Sequence, residues 1–356
     1  MTNPIEFAIV GAGWRAEFYL RIAREMPERF RVSGVLARSE AKAQKVREEW
    51  GVPVVADLDS LLRDKPLFAV ASVPWDVNPG VLTELARRGT PALSETPPAP
   101  DLAGLIALAG QLRESRTQVA EQYQFQPWNA AVLSVIDSGK LGAVTQAQVS
   151  VAHGYHGISL LRKALGVGFE NAAIRALAFT SPLTGGPDRS GPPTQESIGP
   201  SHQTHATLEF EGKLGVFDFC DDQYFSWVRS RRLLVRGERG EINNGDVRFL
   251  QDFQTPIHAA LTRVDAGQDG NLEGYFHQGI LCGSEWVYRN PFAPGRLADD
   301  EIAIAACLQK MADYAEGGPS FYGLAEASQD HYLSMEIQRA AASRETVTTV
   351  RQSWAD

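Results

Sequence analysis

Residues Phe7–Phe18, FAIVGAGWRAEF, constrain the fold of this chain more than any other stretch. A short apolar run of buried-strand type ends at Gly11 and passes directly into a helical pattern. Trp14, Phe18, Ile22 and Met26 recur every four residues, and Pro27 closes the run. The spacing Gly11-x-Gly13-x-x-Ala16 between a strand and a helix is that of a dinucleotide-binding turn. Gly11 allows the tight turn, and Gly13 lets the backbone approach a pyrophosphate. Ala16 lets the helix lie close on the strand, and the first-turn N–H groups face the anion. Trp14 and Arg15, inside the turn, are expected at the cofactor as well.

The remaining chain repeats this rhythm as far as Gln126-Pro127. Strands are expected at Val32–Ala37, Leu67–Val73, Pro91–Ser94 and Gln118–Glu121, with helices between them, so the first unit reads as βαβ repeats around a parallel sheet. Beyond it the pattern changes. A helix over Asn129–Ser138, a strand over Ala143–Val151 and a helix over Gly157–Leu165 precede expected strands at His205–Phe210, Leu214–Phe219 and Ser226–Arg236. Residues Ser181–Ser201, rich in Gly, Pro and Ser and without apolar periodicity, read as a long loop, either a functional lid or a disordered segment. Asp265–Arg296 reads as a second irregular region. Two helices close the chain, the first with Ile304, Leu308, Met311 and Ala315 on one face. The expected fold is therefore α/β: a Rossmann domain over 1–126 and an α+β domain over 127–356, with a large, mostly antiparallel open sheet. The C-terminal helices are free to pack back on the first domain.

Composition excludes several classes of function. The 356 residues carry a formal charge of −9 with 22% charged and 44% hydrophobic residues, which argues against a nucleic-acid or anionic-membrane partner. Cys220, Cys282 and Cys307 are too scattered for a disulfide framework or a CxxC zinc site. No segment reaches membrane-spanning length, and no signal-peptide pattern opens the chain, so a cytoplasmic setting is expected. Two H-x-x-H pairs, His153/His156 and His202/His205, lie at expected element boundaries. Such a pair converges on a helix and diverges on a strand, and no metal site is expected from either.

Taken together, the glycine turn, Glu95-Thr96-Pro97 after the fourth expected strand, Ser138-Gly139-Lys140-Leu141-Gly142, His156–Leu161 before Leu165-Gly166, and the end from Gly317-Gly318-Pro319 through Leu324–Ala327 to Trp354 resemble the glucose–fructose oxidoreductase and inositol dehydrogenase (Gfo/Idh/MocA) family. The resemblance covers nearly the whole chain. It implies a nicotinamide cofactor between a Rossmann domain and an open-sheet domain, and homo-oligomers formed through the open face of that sheet. Three positions depart from the family pattern. Thr96 stands where the family carries the lysine of Glu-Lys-Pro, and Ala152 where an Asp precedes the active-site histidine by four residues. Ser159 stands where many members have a further Asp. His156 matches.

Hydride transfer to or from a carbinol needs a group that moves the hydroxyl proton, and imidazole suits this near neutrality. His156 is the expected acid/base. His153 and Tyr155 are expected to touch substrate or orient the ring, and the competing reading of His156 is a helix-start cap. Thr96 lacks the lysine's charge and reach but can donate and accept hydrogen bonds. Glu95 is expected to hold the nicotinamide end, with a structural carboxylate as the alternative. Pro74 and Trp75 end the third expected strand, where open α/β sheets bind ligands; a tryptophan buried under the sheet is the plain alternative. At the ribose, NAD binding uses an acid at the end of the second strand, whereas this chain has Arg38-Ser39, which favours NADP over NAD. Gln122, Tyr123, Gln124 and Gln126 offer amides and a phenol suited to hydroxyl-rich, uncharged molecules. Phe217, Phe219, Tyr224, Phe225 and Trp227 read as core or subunit interface. The expected activity is NAD(P)-dependent oxidation or reduction of a sugar, cyclic polyol or related carbonyl compound. The alternatives are a redox-neutral sugar-modifying enzyme that keeps its NAD(H), and a catalytically silent cofactor-binding sensor or regulator.

Overall fold

The computed structural model describes residues 3–270 and 274–355. The first half alternates as the apolar rhythm predicts: β1 (Ile5–Val10), α1 (Trp14–Glu25), β2 (Phe30–Leu36), α2 (Glu40–Trp50), β3 (Val54–Val55), α3 (Leu58–Leu61), β4 (Phe68–Ala71), α4 (Asn78–Arg87), β5 (Ala92–Ser94), α5 (Leu102–Gln111) and β6 (Thr117–Val119). All six strands are parallel in the order β3-β2-β1-β4-β5-β6. The order reverses beside β1, so the crevice at the carboxyl ends of β1 and β4 is where such a sheet takes a ligand. The two-residue β3 is too short to show a period and is not anticipated in the sequence.

Helix α1 keeps its expected face in part: Ile22 and Met26 are buried, and Phe18 is half-buried against the same core. Ala16, Tyr19, Leu20 and Ile22 are buried, whereas Trp14 is 54% exposed. The strand accepts the side carrying the small Ala16, which leaves Trp14 outward, its ring packed edge to face on Phe18, 6.0 Å away.

The second half comprises α6 (Pro127–Asp137), β7 (Val144–Ser150), α7 (Gly154–Leu165), β8 (Ala173–Thr184), β9 (Ile198–Phe210), β10 (Lys213–Cys220), β11 (Arg232–Gly237), β12 (Gly240–Asn243), β13 (Asp246–Leu250), β14 (Pro256–Asp265), β15 (His277–Cys282), β16 (Glu285–Arg289), α8 (Asp299–Ala315), α9 (Leu324–Ser343) and β17 (Val347–Thr348). Its eleven strands form one sheet, antiparallel except where β10 runs parallel to β7. Helix α7 covers it: Ile158 and Leu161 share a core with Val149, Phe217 and Val235. Helix α8 returns to the first sheet, where Ile304, Leu308 and Met311 pack with Phe7, Ile9 and Phe68.

Two expected irregular stretches contain strand at their edges or within them. The ends of Ser181–Ser201 form a hairpin arm, with Ser181 opposite Ser201 and Thr184 opposite Ile198, while residues 185–197 remain a long tip. The arm projects past the end of β10, which pairs no further than Gln203. A proline whose missing N–H faces outward costs no ladder bond in such a two-stranded arm, which is how Pro182 and Pro200 are accommodated. Asp265–Arg296 likewise contains the β15–β16 hairpin. The strand expected over Ser226–Arg236 begins only at Arg232.

Candidate active site

The glycine turn has the shape that an anion needs. Gly11 sits at φ +110, and a Cβ there would lie 2.1 Å from the Ser72 carbonyl oxygen at the end of β4. The turn can therefore pass β4 only as glycine. A Cβ on Gly13 would meet nothing within 4 Å, so the space before α1 is an open cradle. Gly13 begins α1 without a side-chain cap, leaving the first-turn N–H groups unmet by any capping side chain. Beside the turn, the buried Ser72 hydroxyl also lacks a partner. These features fit a dinucleotide phosphate.

The other expected cofactor residues ring this crevice. Arg38 is exposed after β2, and Ser39 begins α2 without using its side chain as a cap. Pro74 is exposed and Trp75 is 51% exposed, so the tryptophan is not buried under the sheet. Arg15 turns inward: its Nε donates to Glu95 Oε1 at 2.9 Å, and its guanidinium also donates to Gln122. Tyr19 donates its hydroxyl to the same Glu95 oxygen. Glu95 is thus clamped by a cation and a phenol. Thr96 and Pro97 follow through a cis peptide.

Three aromatic rings surround His156. Helix α7 starts at Gly154, so His156 lies in its first turn, while His153 is the N-cap residue and makes no side-chain cap bond. Gly157 lets this turn descend onto the sheet: a Cβ there would lie 2.5 Å from a Phe217 ring carbon. His156 Nδ1 lies 2.6 Å from Glu121 Oε2, and the other Glu121 oxygen accepts the Tyr123 N–H at 3.0 Å. Both side chains are nearly buried, at 11% and 1% exposure. Since the carboxylate accepts, Nδ1 carries the proton and Nε2 presents its lone pair. Ring centroids of Tyr155, Tyr123 and His153 stand 4.5, 4.6 and 5.0 Å from that of His156.

The neighbours have defined proton positions. Tyr224 Oη accepts the His153 N–H at 3.0 Å and the Tyr123 hydroxyl at 3.1 Å. Its own proton then goes to His153 Nδ1, 2.7 Å away, which leaves His153 Nε2–H as a donor. Packing among these rings, and then the nearby His156, lower the His153 pKa to about 4. Burial raises the Tyr155 hydroxyl above its ordinary range, against the opposing influence of the Thr96 side chain beside it. Thr96, Tyr155, His153 and His156 therefore come together. Ala152 is fully buried, and the Ser159 hydroxyl is buried without a partner.

The remaining histidines do not assemble a metal centre. His202 and His205 lie on β9, where His202 Nδ1 is 3.1 Å from Thr180 Oγ1 and His205 Nδ1 is 3.7 Å from Asp218. Among the described residues no group of three His, Cys, Asp or Glu side chains is placed to hold an ion. The three cysteines are free and buried. No described helix is long and apolar enough to cross a membrane.

Two site residues escape the sequence reading. Glu121 had no assigned role, although a carboxylate ending an apolar strand at the ligand edge of a parallel sheet was a signal. Tyr224, expected in core or interface, instead joins His153 to Tyr123; nothing local marks it.

Residues 5–123 match the model of the Gfo/Idh/MocA oxidoreductase family, described as an NAD-binding Rossmann fold. No curated protein matches the chain by sequence. Similar solved structures include an oxidoreductase from Agrobacterium radiobacter in complex with NAD+, L-tartaric acid and magnesium: 15% identity, 97% of this chain and 98% of that one, TM-score 0.68. A putative myo-inositol dehydrogenase from Sinorhizobium meliloti 1021 aligns at 15% identity over 97% and 100%, TM-score 0.66. A levoglucosan dehydrogenase in complex with NADH and levoglucosan aligns at 15% identity over 97% and 99%, TM-score 0.68. At these identities the likeness is one of fold.

Proposed function

We propose, from the match of residues 5–123 to the Gfo/Idh/MocA oxidoreductase model, that the chain is a nicotinamide-dependent dehydrogenase or reductase of a neutral, hydroxyl-rich compound: a sugar, a cyclic polyol or a related carbonyl. The observation that carries the reading is the Glu121–His156 pair. The family's aspartate position is Ala152 and its lysine position Thr96, yet His156 still has a buried carboxylate on Nδ1. It comes instead from the segment just after β6, in the other domain.

When bound, the cofactor supplies a hydride acceptor or donor at nicotinamide C4. His156 Nε2 takes the carbinol proton as the C–H bond breaks, or returns it in reduction, and Glu121 holds the ring and stabilises the imidazolium. The protonated Tyr155 hydroxyl, positioned by Thr96, donates to the substrate oxygen in place of the absent ammonium, and His153 Nε2–H donates to a neighbouring hydroxyl. Arg15, the cation beside Glu95, is paired with it, and the family's lysine position is the uncharged Thr96, which supports neutral substrates over acids. Residues 1–126 act as the cofactor unit and 127–356 as the substrate unit. Arg38, with no carboxylate partner among the described residues, and Ser39 favour a 2′-phosphate, hence NADP over NAD; clearly tighter NAD binding would refute that preference. Assembly through the open face of the large sheet is the oligomer we expect, and sedimentation as a monomer only would reject it.

The test is a panel of sugars and polyols with both cofactors, followed by absorbance of the reduced nicotinamide. A substrate-dependent signal lost in His156→Ala supports the reading. A signal that persists in His156→Ala removes His156 from the chemistry.

A further inference from the structure

The tip of the β8–β9 arm reaches the first domain. Its turn is closed at both ends, Asp188 N–H to Gly191 O at 3.0 Å and Gly191 N–H to Asp188 O at 3.2 Å. The Asp188 carboxylate accepts the Ser190 N–H at 2.7 Å. Arg189 stands at the apex of this braced turn, and its guanidinium lies over the Trp14 ring, 3.9 Å from the centroid. Trp14 is the first residue of α1, directly after the open cradle at Gly13. Arg189 is exposed and has no carboxylate partner among the described residues.

The charge at this place needs an account. A dinucleotide diphosphate carries two negative charges, whereas a helix N-terminus offers roughly half a positive one. Arg15, one residue further along α1, spends its charge on Glu95. Arg38 lies at the end of β2, by the ribose. Stacked on Trp14, the Arg189 guanidinium keeps its edge N–H donors free, and that planar fork matches two phosphate oxygens. We infer that Arg189, carried by the hairpin arm of the second domain and seated on Trp14, closes over the cofactor and binds its diphosphate. Composition left this stretch as a lid or a disordered segment; the arm gives a lid a charged contact. The inference rests on the proposed dinucleotide binding and adds a ligand from the opposite domain.

The experiment measures dissociation constants by calorimetry for NADH, NADPH, ADP-ribose and adenosine, with wild type, Arg189→Ala and Arg189→Lys. Arg189→Ala should weaken NADH, NADPH and ADP-ribose by a common factor of about ten, the worth of one charge-assisted hydrogen bond. Adenosine, which lacks the diphosphate, should be unaffected, and Arg189→Lys should regain part of the loss. The factor should shrink at about 0.5 M salt, where exposed charges are screened. Hydrogen exchange across residues 186–196 should slow when NADH binds the wild type. Unchanged constants in Arg189→Ala, or an equal loss for adenosine, would overturn the inference while leaving cofactor binding intact. A wild type that binds no dinucleotide would overturn both.

Discussion

Replacing Glu121 by Gln changes one buried oxygen to an amide while keeping size and planarity. In the native protein the carboxylate accepts from His156 Nδ1 at 2.6 Å and from the Tyr123 N–H at 3.0 Å. The Gln carbonyl can keep one of these bonds, and the negative charge beside the ring is lost. When His156 takes the substrate proton it becomes a cation, and a hydrogen bond between charged partners is worth about 1.5–3 kcal/mol. At about 1.4 kcal/mol per decade, kcat/KM should fall roughly 10- to 150-fold. The loss should appear in kcat, because Glu121 touches the base and not the substrate. Steady-state kinetics on the best substrate of the panel, with calorimetry of cofactor binding as control, measures both. A fall smaller than threefold, or one matched by an equal loss of cofactor affinity, would refute the assignment of Glu121 as the positioning carboxylate.

The glycine turn separates folding from binding. Gly11→Ala should destabilise the fold, since its Cβ would strike the Ser72 carbonyl at 2.1 Å, whereas Gly13→Ala should leave the melting temperature unchanged and weaken NADH more than about tenfold by filling the cradle. Tyr155→Phe removes one donor and should lower kcat/KM by roughly 2- to 12-fold, the worth of about 0.5–1.5 kcal/mol; no change would exclude Tyr155 from the substrate oxygen. His153 and His331 both have pKa values lowered mainly by burial. The unfolded chain therefore binds protons on these rings before the folded one, and their stabilisation, complete above about pH 6.5, is lost as pH falls below that, for His153 through about 4. Melting curves of His153→Asn from pH 7.5 to 4.5 should slope less steeply than the wild type's.

The first domain was legible because its signals are local. Strand and helix periods, and Gly11 and Gly13, are all read within a dozen residues. The β8–β9 arm was read as a loop for the opposite reason. Its strand character comes from pairing Ser181 with Ser201 and Thr184 with Ile198, while Pro182, Gly185, Gly186 and Pro200 speak locally for a turn. The weak periods of β12 to β16 were masked in the same way, since their ladders hold them in place. The site divided likewise. His156, Thr96 and Tyr155 came from motif positions, whereas Glu121 lies 35 residues from the histidine it serves and Arg189 sits in the stretch with least pattern. What the chain lost at Ala152 was visible in the sequence; what replaces it required the domains to be brought together.

Hydride transfer is tested most directly by a single turnover with stoichiometric oxidised cofactor and the best polyol of the panel, deuterated at the reacting carbon, followed by mass analysis of cofactor and product. The account predicts one deuterium on the reduced nicotinamide in the wild type and none in His156→Ala. Deuterium that stays with the product carbon, with no net reduction of the cofactor, would contradict it.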